Sequence, residues 1–391
     1  MVIVTDQVLG VAVVGFGWMG RVHTQAYARV PHHFPAAPAT RLVAVADDVP
    51  GRAEAAAGQF GFGSWSLDWR ALVADPAVQA VSITVPNFLH RAVGGAFLAA
   101  GKHVWIEKPV GLAASDAQAL SDARSAAEVQ VTVGFNYRHA PAVARARELV
   151  ASGQIGNVTH ARFRLFSDYA AHPDGALSWR FTRERGGNGV LGDLGSHGID
   201  LIRYLLGDIS AVVADTATFI PTRPLPSGAT SGHTLGSGEP GPVENEDYFG
   251  ALLRMDSGAR VVLEASRVAV AEQNSYGFEI HGTRGALFWD FRRMGELGVG
   301  TGASPQDVPV RTIFAGPLDG EFGPFQPGAG IPMSYDDLKV IEAYGFLRSI
   351  ADGTSHGAGL DDALRSAEAL DAIGRSAGTG AWVSLPPAAR P

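Results

Sequence analysis

The sequence predicts an α/β chain of two domains: a doubly wound parallel sheet, then an α+β domain with a large, mostly antiparallel, open-faced sheet. Its 391 residues, 46% of them hydrophobic, are too many for one ordinary core and enough for two. Short apolar runs alternate with helical patterns in the first third of the chain, whereas period-two alternation dominates the rest. We therefore expect domains at residues 1–136 and 137–391. The C-terminal helices could also pack back toward the first domain.

The first domain is built from strand–helix–strand units. Because apolar strands separated by helices pair in parallel, these units predict a sheet that is buried on both faces. The predicted strands are "LGVAVVGFG", "TRLVAVAD", "VQAVSITV", "HVWIE" and "VQVTVGF".

The second domain opens with an amphipathic helix over 141–152 and continues in strands with period-two alternation. Two of their connections, "DSG" and "TRG", are short and contain glycine, which favours hairpins. The segment 221–246 is rich in Pro, Gly and Ser and is predicted to be a long loop. Helices over 335–352 and 360–376 are predicted to end the chain. The strands are predicted at "NVTHARFRLF", "AVVADTATFI", "DYFGALLRM", "ARVVLEASRVAV", "YGFEIHG" and "GALFWD".

Composition excludes several functional classes. The formal net charge is −8 and no basic stripe is present, so we expect no nucleic-acid partner. No apolar run approaches the roughly 18 residues of a membrane span, and the N-terminus lacks the features of a signal peptide. The absence of cysteine excludes disulfides, thiolate metal sites and cysteine nucleophiles. We therefore expect a cytoplasmic protein with no membrane partner.

A glycine-rich turn joins the first predicted strand to the first helix. Its residues, Gly15-Phe16-Gly17-Trp18-Met19-Gly20, fit the pattern G-x-G-x-x-G in the strand–turn–helix setting of a dinucleotide-binding Rossmann domain. The first glycine makes the turn, the second lets the backbone approach a pyrophosphate, and the third lets the helix pack against the strand. The helix N-terminus then offers free N–H groups to the phosphates. The turn therefore predicts a nicotinamide cofactor.

Two carboxylates follow the second predicted strand. Asp47 and Asp48 stand where an acid would accept a hydrogen bond from the adenine ribose, and both would repel a 2′-phosphate. This favours NAD, while the nearby Arg52 leaves NADP open. Asp47 comes 27 residues after Gly20, and we interpret "VPHHFPAAPAT" as an insertion between them. In the alternative interpretation both acids only cap the next helix.

Glu107, Lys108 and Pro109 end the apolar strand "HVWIE". Ligands of an open parallel sheet bind beyond the carboxyl ends of its strands, so Glu107 and Lys108 are predicted to line the cofactor cleft. Lys108 would then donate near the nicotinamide. The Lys108–Pro109 bond is the natural place for a cis peptide. The alternative is a solvated surface ion pair.

Three motifs together resemble the glucose–fructose oxidoreductase, inositol dehydrogenase and MocA family (Gfo/Idh/MocA). They are the turn Gly15–Gly20, Pro86-Asn87 after a strand, and Glu107-Lys108-Pro109. A further match is the family signature G-x-x-x-D-x-x-x-H, met by Gly189, Asp193 and His197. Within the family, "PHHFPAAP", "LSWRF" and "SYDDLKVIEAY" resemble the levoglucosan dehydrogenase branch.

The resemblance implies an NAD-dependent oxidoreductase that acts on a secondary hydroxyl of a sugar, anhydrosugar or cyclic polyol. It implies that His197 is the acid/base and that Lys108 and Asp193 position and polarise the hydroxyl. The residue types suit this chemistry, since an imidazole can take the hydroxyl proton and an ammonium can stabilise an alkoxide. On a helix, Asp193, His197 and Asp200 would share one face. Redox-neutral glycoside cleavage or elimination, and a non-catalytic NAD-binding regulator, are the alternative functions.

Further residues are predicted to contribute to the cleft, among them those of "GFNYRHAP", which resembles the family's "GFNRR". Plain packing is the alternative for the predicted substrate contacts among them. His90 is predicted on the cofactor side. No metal site is expected, because Asp193 and His197 alone do not make one. The family often pairs the second sheet, which implies a homodimer or homotetramer through that sheet. The remaining predicted substrate contacts are Asn136, Tyr137, Arg138, Trp179 and Tyr335.

Overall fold

A computed structural model describes residues 8–228, 234–302, 304, 306–325 and 327–387. These residues form two compact units. One comprises the described residues up to Asn136 together with Ser334–Arg365, and the other the described parts of Tyr137–Met333 and of the chain from Ser366 onward. The segment Ser334–Arg365 therefore belongs with the first unit.

The first unit contains a six-stranded parallel sheet in the order β3-β2-β1-β4-β5-β6, the strand order of a Rossmann fold. This confirms the parallel α/β prediction. Every residue of β1 is buried, as expected of an apolar strand covered by helices on both faces. The elements are β1 (Leu9–Val14), α1 (Trp18–His33), β2 (Thr40–Ala46), α2 (Arg52–Phe60), β3 (Ser64–Ser66), α3 (Arg70–Val73), β4 (Ala80–Ile83), α4 (His90–Ala99), β5 (His103–Ile106), α5 (Ala114–Ser125) and β6 (Val131–Val133).

The long connection between β1 and β2 differs from the predicted insertion. Helix α1 continues through Pro31 to His33, so only the remainder of that segment lies outside the helix. The N–H of Phe34 still bonds the carbonyl of Val30 at the helix end. Helix α1 therefore extends further into "VPHHFPAAPAT" than the prolines of that segment had indicated.

The second unit contains a nine-stranded sheet in the order β16-β15-β14-β13-β7-β12-β11-β8-β17. All neighbours are antiparallel except β7 and β12, which confirms a mostly antiparallel sheet. The two predicted hairpins form, since β11 pairs with β12 and β13 with β14. The elements are α6 (Pro141–Ala151), β7 (Val158–Phe166), α7 (Arg183–Gly186), α8 (Ser196–Leu206), β8 (Ile209–Ala217), β9 (Thr222–Pro224), β10 (Pro240–Pro242), β11 (Tyr248–Met255), β12 (Arg260–Ser266), β13 (Ser275–Gly282), β14 (Gly285–Asp290), β15 (Glu296–Thr301), β16 (Val310–Phe314) and, at the end of the chain, β17 (Val383–Ser384).

The predicted long loop at 221–246 is partly regular. Its ends contain β9 and β10, which pair with each other as a small antiparallel ribbon. Residues 229–233 of this segment lie outside the described residues. Strands β15 and β16 were not predicted.

The two C-terminal helices are α9 (Tyr335–Asp352) and α10 (Leu360–Thr379). Helix α9 begins with a capping box, in which Ser334 and Asp337 each accept from the other's backbone N–H. It ends at Gly353, whose φ of 75° suits a glycine. Lys339 and Glu342 are buried charged residues on α9. No helix in the described residues is long and apolar enough to cross a membrane.

Candidate active site

The glycine-rich turn has the shape that a dinucleotide needs. Gly15 has a φ of 85°, and a Cβ there would lie 2.8 Å from the carbonyl oxygen of Thr84. A Cβ at Gly20 would lie 2.2 Å from the carbonyl oxygen of Gly15. A Cβ at Gly17, the N-cap of α1, would meet no atom of the described residues within 4 Å. The first and third glycines therefore serve close packing, whereas the second leaves the backbone open to a pyrophosphate at the helix N-terminus.

Asp47 holds this turn from the end of β2. Its Oδ2 accepts from the N–H of Phe16 at 2.6 Å, and its Oδ1 accepts from the N–H of Val49 at 2.9 Å. Arg52 approaches both carboxylate oxygens at 3.3 Å. Asp47 is buried, whereas Asp48 is exposed. Helix α2 is capped by Gly51 without a side-chain bond, so helix capping does not explain these acids.

The segment after β4 contains Pro86 and Asn87, which lead into a short 3₁₀ turn, Asn87–Leu89. His90 follows and is buried. Its Nδ1 lies 2.8 Å from the carbonyl oxygen of Pro109, and its Nε2 lies 2.8 Å from that of Val85. A contact of His90 with the cofactor stays a prediction. Both ring nitrogens are engaged by backbone, and the ring joins the ends of β4 and β5.

The Lys108–Pro109 peptide bond is cis, as the sequence suggested. Lys108 directly follows Glu107, whose carboxylate turns inward. Glu107 Oε1 lies 3.0 Å from Nε2 of His23 and also contacts the ammonium of Lys339. The Glu107 carboxylate is buried, so the alternative of a solvated surface ion pair is wrong. The expectation that Glu107 lines the cofactor cleft stays a prediction.

The buried charged group around Glu107, which we name the Lys339 cluster, contains His23, Trp105, Glu107, Lys339 and Glu342. Lys339 Nζ lies 2.7 Å from Glu342 Oε2. The His23 ring stacks on Trp105 at a centroid distance of 3.5 Å. The cluster joins helix α1, strand β5 and helix α9 in the interior of the first unit.

Tyr335 lies beside the glycine-rich turn. Its ring stacks on Trp18 at a centroid distance of 5.4 Å, and its hydroxyl lies 3.7 Å from the sulfur of Met19. The stack is partly open to solvent, since Trp18 is 67% exposed. The sequence predicted Tyr335 as a substrate contact, and the structure places it against the residues predicted to bind the cofactor.

Asn136 is fully buried at the end of the first unit. Within the described part of the chain, neither its Oδ1 nor its Nδ2 has a hydrogen-bond partner. An unsatisfied buried amide is costly, and such a group deserves an explanation. A carboxamide can both donate to and accept from the amide of a nicotinamide or the hydroxyl of a sugar, so Asn136 fits a ligand contact.

In the second unit, the signature residues lie on an irregular helix. Leu191–Gly195 forms a turn of π-helix that continues directly into α8. Such turns are rare and occur often at functional sites. The wider turn separates Asp193 and His197 by nearly one full turn, so both remain on one side of the helix. The sequence predicted a regular α-helix here.

Asp193 has tyrosine neighbours that the sequence did not single out. The Tyr169 hydroxyl lies 2.7 Å from Asp193 Oδ2. Burial raises the pKa of Tyr169, and the Asp193 carboxylate raises it further, so the phenol keeps its proton and donates. Burial also raises the pKa of Tyr276, with a contribution from Asp193. Tyr169 comes just after the end of β7. This position at a strand end is the feature of the sequence that could have indicated a site residue.

His197 is buried against Tyr137, with ring centroids 4.4 Å apart. The Tyr137 ring also contacts Tyr276 at 5.7 Å and Phe291 at 5.0 Å. Tyr137 therefore packs against the imidazole with the two ring planes tilted by 45°. The roles of Tyr137 and His197 at the substrate stay predictions.

Asp200 forms an ion pair with Arg138. It accepts from Arg138, whose Nε lies 2.8 Å from Asp200 Oδ2, and Arg138 also stacks over the ring of Tyr204. This ion pair is largely buried and holds α8, and a substrate contact of Arg138 stays a prediction. The guanidinium carbon of Arg180 lies 4.5 Å from the centroid of the Trp179 ring. Among the described residues, no group of three His, Asp or Glu side chains could hold a metal ion.

Comparisons with known proteins agree with this geometry. Residues 9–135 match the family model described as an oxidoreductase family with an NAD-binding Rossmann fold, and residues 143–288 match the GFO/IDH/MocA C-terminal domain. The levoglucosan dehydrogenase of Pseudarthrobacter phenanthrenivorans is 37% identical over 387 residues, which cover 97% of this chain and 99% of that protein. An inositol 2-dehydrogenase of Rhizobium meliloti is 27% identical over 86% of this chain and 96% of its own length.

Solved structures show the same relation. A levoglucosan dehydrogenase in complex with NADH and levoglucosan superimposes with a TM-score of 0.91 at 36% identity and covers 97% of this chain and all of that one. The predicted family, the NAD cofactor and the oxidoreductase class are confirmed. The chain belongs to the Gfo/Idh/MocA family of oxidoreductases, with an NAD-binding Rossmann domain and the family's C-terminal domain.

Proposed function

We propose that this enzyme oxidises a secondary hydroxyl of a sugar, an anhydrosugar or a cyclic polyol with NAD. One observation carries the proposal: the open pyrophosphate turn at Gly17 occurs in the same chain as the Tyr169–Asp193 bond beside His197. The likeness to levoglucosan dehydrogenase along nearly the whole chain supports an anhydrosugar as the first substrate to test.

The residues take distinct roles in the proposed reaction. His197 removes the proton of the substrate hydroxyl, because an imidazole changes charge near neutral pH. The Lys108 ammonium stabilises the developing alkoxide. Asp193 is held by Tyr169 and orients the reacting hydroxyl. When bound, NAD supplies the nicotinamide C4 that accepts the hydride. Asn136 offers its buried carboxamide to the ligand.

Substrate oxidation is tested with a panel of levoglucosan, glucose, simple glucosides and inositols, read as NADH absorbance. Lys108→Met and His197→Asn are expected to lower kcat/KM by about 100-fold or more while NADH still binds. Wild-type turnover retained in both variants would exclude this mechanism. One NADH per product supports dehydrogenation, whereas product without NADH supports the redox-neutral route.

We also propose self-association through the open face of the nine-stranded sheet. Leu252 and Val262 are cross-strand partners on this face and are both exposed, and His160 stacks on His281 nearby at 4.7 Å. An exposed apolar pair flanked by polar side chains is typical of a protein contact. Light scattering of the wild type and of Leu252→Glu tests this. The variant is expected to have the lower mass, and equal masses would exclude the contact.

A further inference from the structure

Lys339 is an unusual residue in this chain. The sequence has 31 lysines and arginines, of which only Lys102, Lys108 and Lys339 are lysines. Lys339 is fully buried on α9, although lysine is almost never buried unless paired. Its ammonium contacts Glu107 Oε1 and Glu342 Oε2, and lies over the Trp105 ring at 5.6 Å. A compact ammonium can meet two carboxylates here where a planar guanidinium would need more room.

The charged states of the residues in the Lys339 cluster depend on one another. Burial lowers the pKa of Lys339, but the carboxylates of Glu107 and Glu342 outweigh it and raise the pKa, so the ammonium persists. Burial acts to raise the pKa of Glu107, but Lys339 and His23 hold it well below its usual range. Burial raises the pKa of Glu342 to about 7 and lowers that of His23 to about 4. At neutral pH the cluster therefore holds the Lys339 ammonium, the Glu107 carboxylate and the Glu342 carboxyl group, which is close to its own pKa.

Glu107 is fixed on several sides, and its peptide continues directly into Lys108. Its Oε2 lies 3.3 Å from the backbone N–H of Lys108. A Cβ at Gly134 would lie 2.6 Å from Glu107 Oε1, so the backbone after β6 also closes on this carboxylate. His23 reaches Oε1 from α1, the helix that starts at the glycine-rich turn. A displacement of Glu107 would therefore displace the backbone at Lys108.

We propose that Lys339 is a positioning residue for Lys108. It anchors the Glu107 carboxylate, and Glu107 sets the backbone from which the Lys108 side chain projects. The inference rests on the proposed role of Lys108 and assigns a part in it to a helix 232 residues further along the chain. Lys339 itself lies in the interior and acts only through Glu107.

The competing explanation is that the pair only stabilises the core, and a double variant separates the two. Lys339→Met alone leaves the Glu107 carboxylate buried without its main cation. We expect this single variant to have a much lower melting temperature than the wild type. Buried ion pairs can often be replaced by neutral residues without loss of stability. Glu107→Gln/Lys339→Met removes both charges, and the glutamine carbonyl can still accept from His23. We expect the double variant to regain most of the melting temperature lost by the single one.

The kinetic arm measures kcat, KM and the Kd of NADH in the double variant. A positioning role predicts that kcat remains roughly 10- to 100-fold below wild type while the Kd of NADH stays near its wild-type value. Recovery of kcat together with stability would overturn the proposal. Ser349→Ala is the matched control, since Ser349 is buried on the same helix and bonds the carbonyl of Gly345 at 2.8 Å. It is expected to lower the melting temperature and leave kcat unchanged.

A second readout does not depend on turnover. Lysine labelled with ¹³C at Cε gives three signals in the wild type and two in the double variant, from Lys102 and Lys108. The proposal predicts that the Lys108 signal shifts and narrows toward that of a mobile side chain, while the Lys102 signal stays in place. An unchanged Lys108 signal would overturn the proposal. Absence of any sugar turnover in the wild type would instead exclude the proposed function and leave this spectral test intact.

Discussion

The Tyr169 hydroxyl donates to Asp193 Oδ2 across 2.7 Å, and this bond joins the segment after β7 to the π turn before α8. The bond fixes the orientation of the Asp193 carboxylate. A phenol hydroxyl that donates to a carboxylate makes a charge-assisted hydrogen bond, which is stronger than a bond between neutral groups.

Tyr169→Phe removes only this hydroxyl. We expect kcat to fall about tenfold, since hydrogen bonds to charged groups contribute about 1.5–3 kcal/mol, while the Kd of NADH is unchanged. The pH profile of kcat/KM should also shift, because Asp193 loses a donor. Tyr248→Phe is the control, since it removes a similar bond to Glu264 at 3.0 Å on a β-strand. Equal effects of the two variants would contradict a special role for Tyr169.

Two buried groups of the Lys339 cluster are expected to oppose each other in the pH dependence of stability. Glu342 has its pKa raised by burial from 4.5 to about 7, so the folded state keeps a proton that the unfolded chain releases. Its contribution to the free energy of unfolding therefore falls as pH rises through this range. His23 has its pKa lowered by burial from 6.5 to about 4, so its contribution rises with pH between those values.

Glu342→Gln removes the contribution of Glu342, which falls as pH rises. The contribution of His23 to the free energy of unfolding, which rises with pH, then remains without opposition. Relative to wild type, the variant's free energy of unfolding should climb between about pH 5 and pH 6.5 by a further amount on the order of 2 kcal/mol. Urea unfolding at a series of pH values measures this. Parallel curves for the two proteins would show that Glu342 does not titrate in this range.

The glycines of the phosphate turn should respond differently to alanine. Gly20→Ala puts a Cβ 2.2 Å from a backbone oxygen, so we expect clear destabilisation. Gly17→Ala meets no described atom within 4 Å and should fold normally. Its methyl group would instead stand where the pyrophosphate approaches, so the Kd of NADH should rise about tenfold or more. Thermal melting and NADH titration distinguish these outcomes, and a normal Kd in Gly17→Ala would contradict the assigned approach.

Asp47 should set the preference between the two nicotinamide cofactors. Its carboxylate disfavours a 2′-phosphate, so Asp47→Ser is expected to lower the Kd of NADPH relative to that of NADH by roughly tenfold. The Kd of NADH should also rise, because the bond to the Phe16 N–H weakens. Asp48→Ala, at the neighbouring exposed position, is the control. A larger change of preference in Asp48→Ala would reassign the role to that residue.

Much of the fold followed from local patterns. The run of apolar residues in β1 and the glycine spacing at Gly15–Gly20 carry their own physical reasons, so strand, turn and helix could be predicted together. Strands β15 and β16 could not, because "ELGVGT" contains two glycines and "VRTIF" is mostly exposed. The ribbon of β9 and β10 is proline-rich and equally without alternation.

The motifs of the candidate site could be read from the sequence, whereas the partners of its residues could not. Lys108, Asp193 and His197 stand out by spacing and residue type. The inward turn of Glu107 could not be predicted, because its partner Lys339 is 232 residues away and its burial follows from tertiary packing. The ion pair of Arg138 with Asp200 was missed for the same reason, since no periodicity relates residues 62 apart.

Helix α9 has a consequence for anyone who recombines members of this family. A fragment that stops at Asn136 would keep the whole parallel sheet yet lose Lys339, leaving Glu107 enclosed without its main cation. A chimera that transplants the nucleotide half must therefore carry Ser334–Arg365 from the same parent. The order of the chain hides this dependence, because Lys339 comes after eight of the nine strands of the other unit's sheet.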